Sequence, residues 1–326
     1  MTLEQILSTT FLVVILTSGI RLAIPILLAV IGEIITEKGG VLNLGLEGMM
    51  LMGAMIGFLV TWHLENSQFI PVGPTLAAWS GLLAGAGTGL LMGLIMAFLS
   101  VTLRADQVVS SVMLVLLGQG LSAYIFRQQF ADFAAQVTGF ETLPIPFLAD
   151  IPMVGPILFK QDVVVYLTAF VVLGSWFLLN RTTLGLNIRA VGENPSAAET
   201  SGLSVSKIRY TATLIGASLA GLGGAVLTIA QLHLFVEGVT AGRGWIAVAL
   251  VVFARWKPSL AVAGALLFGV ADAIQFRIQA LGNESIPYET LLMLPYLLTI
   301  LVLLRGIKKT EQPEALGQPY IRGARS

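Results

Sequence analysis

Cysteine is absent from the 326 residues, so disulfides, thiol nucleophiles and thiolate metal centres are all excluded. Histidine occurs only twice, at His63 and His233, which leaves no basis for a multi-histidine metal site. Charge is scarce as well. Only 11% of residues are Asp, Glu, Lys or Arg, against about 25% in a soluble domain. The 18 basic and 18 acidic residues cancel, so no global positive field exists to attract nucleic acid. None of the lysines follows a glycine, so the Gly-Lys-Ser/Thr of a phosphate-binding loop is missing. No Ser/His/Asp constellation is evident, no catalytic residue is assigned, and no cofactor is expected. What is abundant is apolar material: 56% of the chain is hydrophobic and mean hydropathy is +0.87. Too little polar surface remains to cover a soluble globule. The composition defines an all-α, polytopic helical membrane protein.

A bilayer-crossing helix needs about 20 mostly apolar residues. Nine such runs can be read, at approximately 9–32, 46–62, 75–101, 108–126, 162–180, 209–234, 245–254 with its preceding loop, 259–278 and 290–305, with eight to ten as the range. The first contains Arg21 and Pro25 and is expected to be tilted or broken. The seventh is too short to cross alone and is expected to borrow the irregular stretch 235–244. Residues 1–305 therefore form a single transmembrane domain, and 306–326 a cytoplasmic tail. Basic loops stay in the cytoplasm. Placing loop 181–208 inside puts thirteen of the 18 basic residues inside and four outside, with Arg21 in the first run. The N-terminus and the proline-rich 127–161 loop are then outside.

Glycine, with 35 copies, is organised. Gly81, Gly85, Gly89 and Gly93 recur every four residues and so share one helix face. Gly53 with Gly57, and Gly216, Ala220 and Gly224, repeat the pattern. Faces without side chains let helices approach closely, which predicts a tight bundle.

The 181–208 loop carries the clearest local signals. Asn194 suits a helix cap, Pro195 the first helical position and Gly202 the stop. The intervening short helix offers Ala197 and Ala198 as a small flat contact, rimmed by Arg189, Glu193 and Glu199. It is expected to be a docking element for a cytoplasmic partner.

Two glycine-interrupted segments, Gly39–Gly48 and Gly238–Gly244, precede or interrupt apolar runs. Paired segments of this kind point to a transport pathway, because non-helical backbone at membrane depth must be buried or line a cavity. Asn43, Glu47, Glu237, Arg243 and Trp245 are the candidate pathway residues. Intramembrane charge is costly and therefore a candidate for function. The alternative for Glu47 and Asp272 is structural, as caps of half-helices or partners of Arg21 or Arg277.

Three stretches carry a family resemblance. Arg189-Ala-Val-Gly-Glu-Asn-Pro-Ser-Ala-Ala, followed by Gly202-Leu-Ser-Val and Lys207, resembles the coupling-helix loop of ATP-binding cassette importer permeases. Gly32-Glu-Ile-Ile-Thr-Glu-Lys-Gly-Gly-Val-Leu-Asn-Leu-Gly-Leu-Glu-Gly-Met-Met is similar to the segment leading into the second core helix of nucleoside-type permeases. Gly242-Arg-Gly-Trp-Ile-Ala-Val-Ala-Leu resembles the glycine-broken segment after the coupling loop. The superfamily is that of branched-chain amino acid, ribose and nucleoside permeases, and the resemblance covers about 20–305. Val251-Val-Phe-Ala-Arg-Trp-Lys departs from it, where relatives often have Leu-Gly or Phe-Gly. The resemblance implies a permease subunit without enzymatic activity in a bacterial cytoplasmic membrane, surrounded by membrane lipid. It implies a separate ATPase docking on Arg189, Gly192, Glu193, Asn194, Pro195, Ala197, Ala198, Gly202 and Lys207. It also implies a sister permease in a heterodimer and an extracytoplasmic binding protein. The Asn43-Leu-Gly-Leu-Glu-Gly run points to a nucleoside before sugars or branched-chain amino acids. The rival from another class is an ion-coupled carrier using Glu47 and Asp272, which has no need of a coupling loop.

Overall fold

The computed structural model describes residues 9–67, 72–130, 133–280 and 311–321, with isolated positions at 293, 297 and 300. The described residues are mostly helical. The helices are α1 (Thr9–Lys38), α2 (Leu46–Glu65), α3 (Pro74–Ala97), α4 (Gln107–Phe130), α5 (Val163–Arg181), α6 (Thr183–Glu193), α7 (Pro195–Thr200), α8 (Val205–Val226), α9 (Arg243–Phe253) and α10 (Pro258–Ala280). Both α3 and α8 run on into a π-helical turn, Phe98–Thr102 and Leu227–Leu232. Among the described residues, seven helices are long and apolar enough to cross a membrane: α1 to α5, α8 and α10. The apolar run at 290–305 lies outside the described residues, apart from 293, 297 and 300.

The expected break in the first run does not occur: α1 is one 30-residue helix with Pro25 inside it. A proline has no N–H, so the carbonyl four residues earlier loses its helical partner. That carbonyl is Arg21 O, and the Gln231 side-chain amide donates to it. The repair comes from the end of α8, more than 200 residues away, and allows α1 to continue to Lys38.

Helix α8 lies at the centre of the bundle, against α1, α2 and α3. Its contact with α3 is nearly backbone to backbone. A Cβ on Gly89 would lie 2.2 Å from Ala217 O, and one on Gly221 would lie 2.4 Å from Gly85 O. The adjacent face of α8 presents Gly216 to Gly32 of α1 and Gly224 to Met50 of α2. The predicted glycine face of α3 is therefore a packing face. Its partner is the Ala217, Gly221, Ala225 row, one residue over from the row read in the sequence.

At one end of the bundle, Phe58, Trp62, Phe126, Phe130 and Phe235 form a cluster of edge-on and tilted rings that ties α2 to α4 and to the segment before α9. At this end a small antiparallel pair joins Thr142–Pro144 (β1) to Lys160–Asp162 (β2). Asp162 then caps α5 by accepting the Val165 N–H at 3.1 Å. The other end carries Lys38, helices α6 and α7, and the 311–321 segment.

Candidate functional site

Helices α2 and α9 begin at the same place inside the bundle and run to opposite ends. The 39–45 segment leaves the end of α1 and turns back. Its Leu42 N–H donates to Gln107 Oε1 at 2.7 Å, and its Asn43 N–H to Glu33 Oε1 at 3.0 Å. From Leu46, α2 proceeds to the aromatic end, where Glu65 accepts the Thr138 N–H. Segment 233–242 returns from the aromatic end in the same manner and starts α9. That helix has 11 residues, about 16 Å at 1.5 Å per residue, and so covers about half of a 30 Å hydrocarbon core. It finishes beside Trp256, whose indole N–H donates to Glu37 Oε2 at 2.5 Å.

Glu47 stands where the two helices start. It is buried and lies in the first turn of α2. Its Oε1 accepts the Thr240 hydroxyl and the Gly242 N–H at 3.0 Å, and its Oε2 accepts the Gly244 N–H at 2.7 Å. The first N–H groups of a helix have no partner within it and carry partial positive charge. One carboxylate therefore faces the positive ends of two helices and satisfies the open donors of α9. The approach demands glycine at 244, because a Cβ there would lie 2.4 Å from Glu47 Cα.

Arg243, one residue away, reaches Asp272 of α10 at 3.3 Å, and both side chains are largely buried. Asp272 is thus paired, although with Arg243 and not with Arg21 or Arg277. Trp245 is 43% exposed on the first turn of α9. Asn43 is fully buried, with Oδ1 accepting the Gly45 N–H and Nδ2 against Met49 Sδ. Glu237 lies apart from this group. It forms an exposed, two-pronged pair with Arg127, both contacts 2.7 Å, and the Arg127 hydrogen bonds hold its carboxyl below the usual carboxylate range.

Thr240, Glu33, Glu37 and Trp256 escaped the sequence reading. The signal for the two acids was present: they stand four residues apart in an otherwise apolar run, and so share one helix face.

In the 181–208 region, Asn194 accepts the Ala197 N–H at 2.9 Å and Pro195 opens α7. A second helix, α6, precedes it, with Thr182 accepting the Gly185 N–H at 3.1 Å. Gly192 closes tightly on the end of α1, since a Cβ would lie 2.1 Å from Lys38 O. Gly202 has a φ of +85° and follows the α7 cap. Arg189 is half-buried with Nε toward Gly185 O, while Glu193 and Lys207 are exposed. The expected flat pair of alanines is not formed. Ala197 is exposed, but Ala198 is buried in the main core. Adjacent helical residues point about 100° apart, so a single turn cannot present both.

A half-length helix meeting the start of a full-length one inside a multi-spanning bundle is the kind of interrupted element that lines membrane transport pathways. The model of the family described as "Branched-chain amino acid transport system / permease component" matches residues 15–303, and the chain belongs to that family. The chain is 40% identical to the putative glucose ABC transporter permease protein TsgC13 of Haloferax volcanii, over 94% of this chain and 97% of that protein. It is 36% identical to the guanosine ABC transporter permease protein NupQ of Bacillus subtilis over the whole of both. With the nucleoside ABC transporter permease protein NupC of Lactococcus lactis it shares 34% over 91% and 93%. Each of these organisms holds a second, more distant relative also described as an ABC transporter permease. No solved structure matches the chain. The chain is the permease subunit of an ATP-binding cassette importer and a multi-pass membrane protein. It is not itself an enzyme: ATP hydrolysis belongs to a separate subunit. Family membership implies that ATPase and a substrate-binding protein as companions.

Proposed function

We propose that this permease carries a nucleoside across the cytoplasmic membrane of a bacterium, as one of two different permease chains. The observation that carries the substrate class is the likeness to the guanosine and nucleoside permeases over nearly the full length of each. The glucose permease relative favours a second reading, a simple sugar. Uptake of labelled guanosine should fall to background in a strain lacking this chain, and unlabelled adenosine, but not glucose, should compete in the parent strain. Competition by glucose alone would move the assignment to sugars. The second permease relative in each of the three organisms supports a heterodimer.

Residues 1–305 act as the transmembrane domain and 306–326 as a cytoplasmic tail. The pathway passes the start of α9, with Trp245 and Arg243 nearest the solute. Glu47 holds that turn in place from behind, Asn43 braces the approach to α2 beside it, and Glu237 stands at the outer mouth. The 127–161 loop receives the binding protein. Helices α6 and α7, with Arg189, Gly192, Glu193, Asn194, Pro195, Ala197, Ala198, Gly202 and Lys207, form the ATPase contact. Ala198 supports this contact from the core, and Ala197 makes it. Ala197→Arg should therefore abolish co-purification of the ATPase while the permease still inserts and elutes as a sharp species. Full co-purification with normal transport would refute the contact.

A further inference from the structure

Five residues of the 311–321 segment bind it to the face that carries α7. Glu311 pairs with Lys257 at 2.6 Å and with Arg255 at 3.2 Å. The Ala315 N–H donates to Gly192 O at 2.9 Å and the Gly317 N–H to Gly40 O at 3.3 Å. Arg209 Nη1 donates to Gln318 O at 2.8 Å, and the Tyr320 hydroxyl meets the Glu199 carboxylate of α7. Two of these links are backbone to backbone, so they hold the course of the chain and not just its side chains.

Between this segment and the start of α7 lies a groove of about 430 Å³. Glu193, Asn194 and Ser196 form one wall, and Glu314, Gln318 and Tyr320 belong to the other. Its lining holds two carboxylates and no lysine or arginine among the described residues. Neither Glu193 nor Glu314 forms a direct ion pair among the described residues, although Glu193 interacts through charge with Lys38. Like charges facing one groove repel each other, and a cation arriving between them relieves that repulsion. Docking would also remove water from the groove, which strengthens a pair that is weak when exposed.

We propose that this groove receives a lysine or arginine side chain of the ATPase subunit, so that the docking surface is built jointly by α7 and the C-terminal segment. The proposal rests on the ATPase contact assigned above. The same segment connects the groove to Gly40, ahead of Glu47, and to Arg255 and Lys257, just after α9. The C-terminal segment therefore links the groove to the first turn of the 39–48 segment and to the far end of α9.

The test is binding of the purified ATPase subunit to the full permease complex across a salt series. Glu314→Lys should weaken binding about tenfold at low ionic strength and converge on the parent at high salt, because screening removes charge effects. Glu314→Gln should show a smaller loss of the same kind. If both bind like the parent at low salt while Ala197→Arg blocks binding, the groove proposal fails and the α7 contact stands. If Ala197→Arg binds normally, it is the α7 contact that fails. A loss in Glu314→Lys that does not change with salt would mean that the segment has merely been displaced, and would equally overturn the groove.

Discussion

Replacing Glu47 by alanine is expected to end transport and to loosen the bundle. Three donors converge on this buried carboxylate: the Gly242 and Gly244 N–H groups and the Thr240 hydroxyl. Alanine would leave all three without an acceptor. Each buried donor left unsatisfied costs about 1–3 kcal/mol, so a loss of at least 3 kcal/mol is expected. Glu47→Gln separates shape from charge. Its amide oxygen can replace Oε1 toward Thr240 and Gly242, but its NH2 group then faces the Gly244 N–H, donor against donor. The glutamine variant should therefore lie between the parent and alanine. Melting of the purified permease, followed by size-exclusion chromatography, gives the order directly, and uptake assays give transport. If alanine melts with the parent and only transport is lost, Glu47 contacts solute and is not the anchor of α9. If alanine also transports normally, both roles are wrong.

The architecture was legible where composition alone decides it. Long apolar runs locate the seven candidate spans among the described residues, and the shortness of 245–254 correctly marks a half-length element with a non-helical approach. Pro25 misled because the remedy for its missing N–H is a tertiary contact from Gln231, which no local pattern contains. Helix α6 was hidden inside a polar loop, although Thr182 provided an ordinary cap signal three residues before Gly185.

At the site, residue type was a better guide than neighbourhood. Glu47 and Arg243 were singled out as costly charges near interrupted segments, and both stand at the start of α9. Glu237 was grouped with them by sequence proximity. A ten-residue approach to a half-helix spans enough distance to carry it out to an exposed pair with Arg127. Thr240 was missed because a lone threonine in an apolar stretch has no distinguishing pattern until its carboxylate partner, 193 residues earlier, is brought beside it. Ala198 shows the limit of reading a short helix as a flat surface: six residues make fewer than two turns, and one of the two alanines must face inward.

Gly221→Ala is expected to be strongly destabilising, although it adds one methyl group. Gly221 lies where α2, α3 and α8 come closest. The new Cβ would sit 2.4 Å from Gly85 O, 2.7 Å from Gly89 Cα and 2.8 Å from Gly89 N, all backbone atoms of α3. A flexible side chain could turn aside, but a helix backbone can only move as a body. Moving α3 outward would also open its contacts with α2, where a Cβ on Gly85 would lie 2.9 Å from Gly53 O and one on Gly81 2.6 Å from Gly57 O. Forcing extra volume into a packed core costs about 1–3 kcal/mol, and this position should lie at or above the upper end. Gly221→Leu should prevent assembly altogether. The control is Gly87, on the same α3 but on its open side, where a Cβ would meet nothing within 4 Å. Gly87→Ala should be neutral or stabilising by up to about 1 kcal/mol, the difference in helix propensity. Melting temperatures of the two alanine variants, measured side by side in one detergent, decide the matter. Equal melting of Gly221→Ala and the parent would show that α3 and α8 do not depend on backbone contact. A matching loss in Gly87→Ala would show that the effect belongs to replacing glycine in a spanning helix and not to the interface.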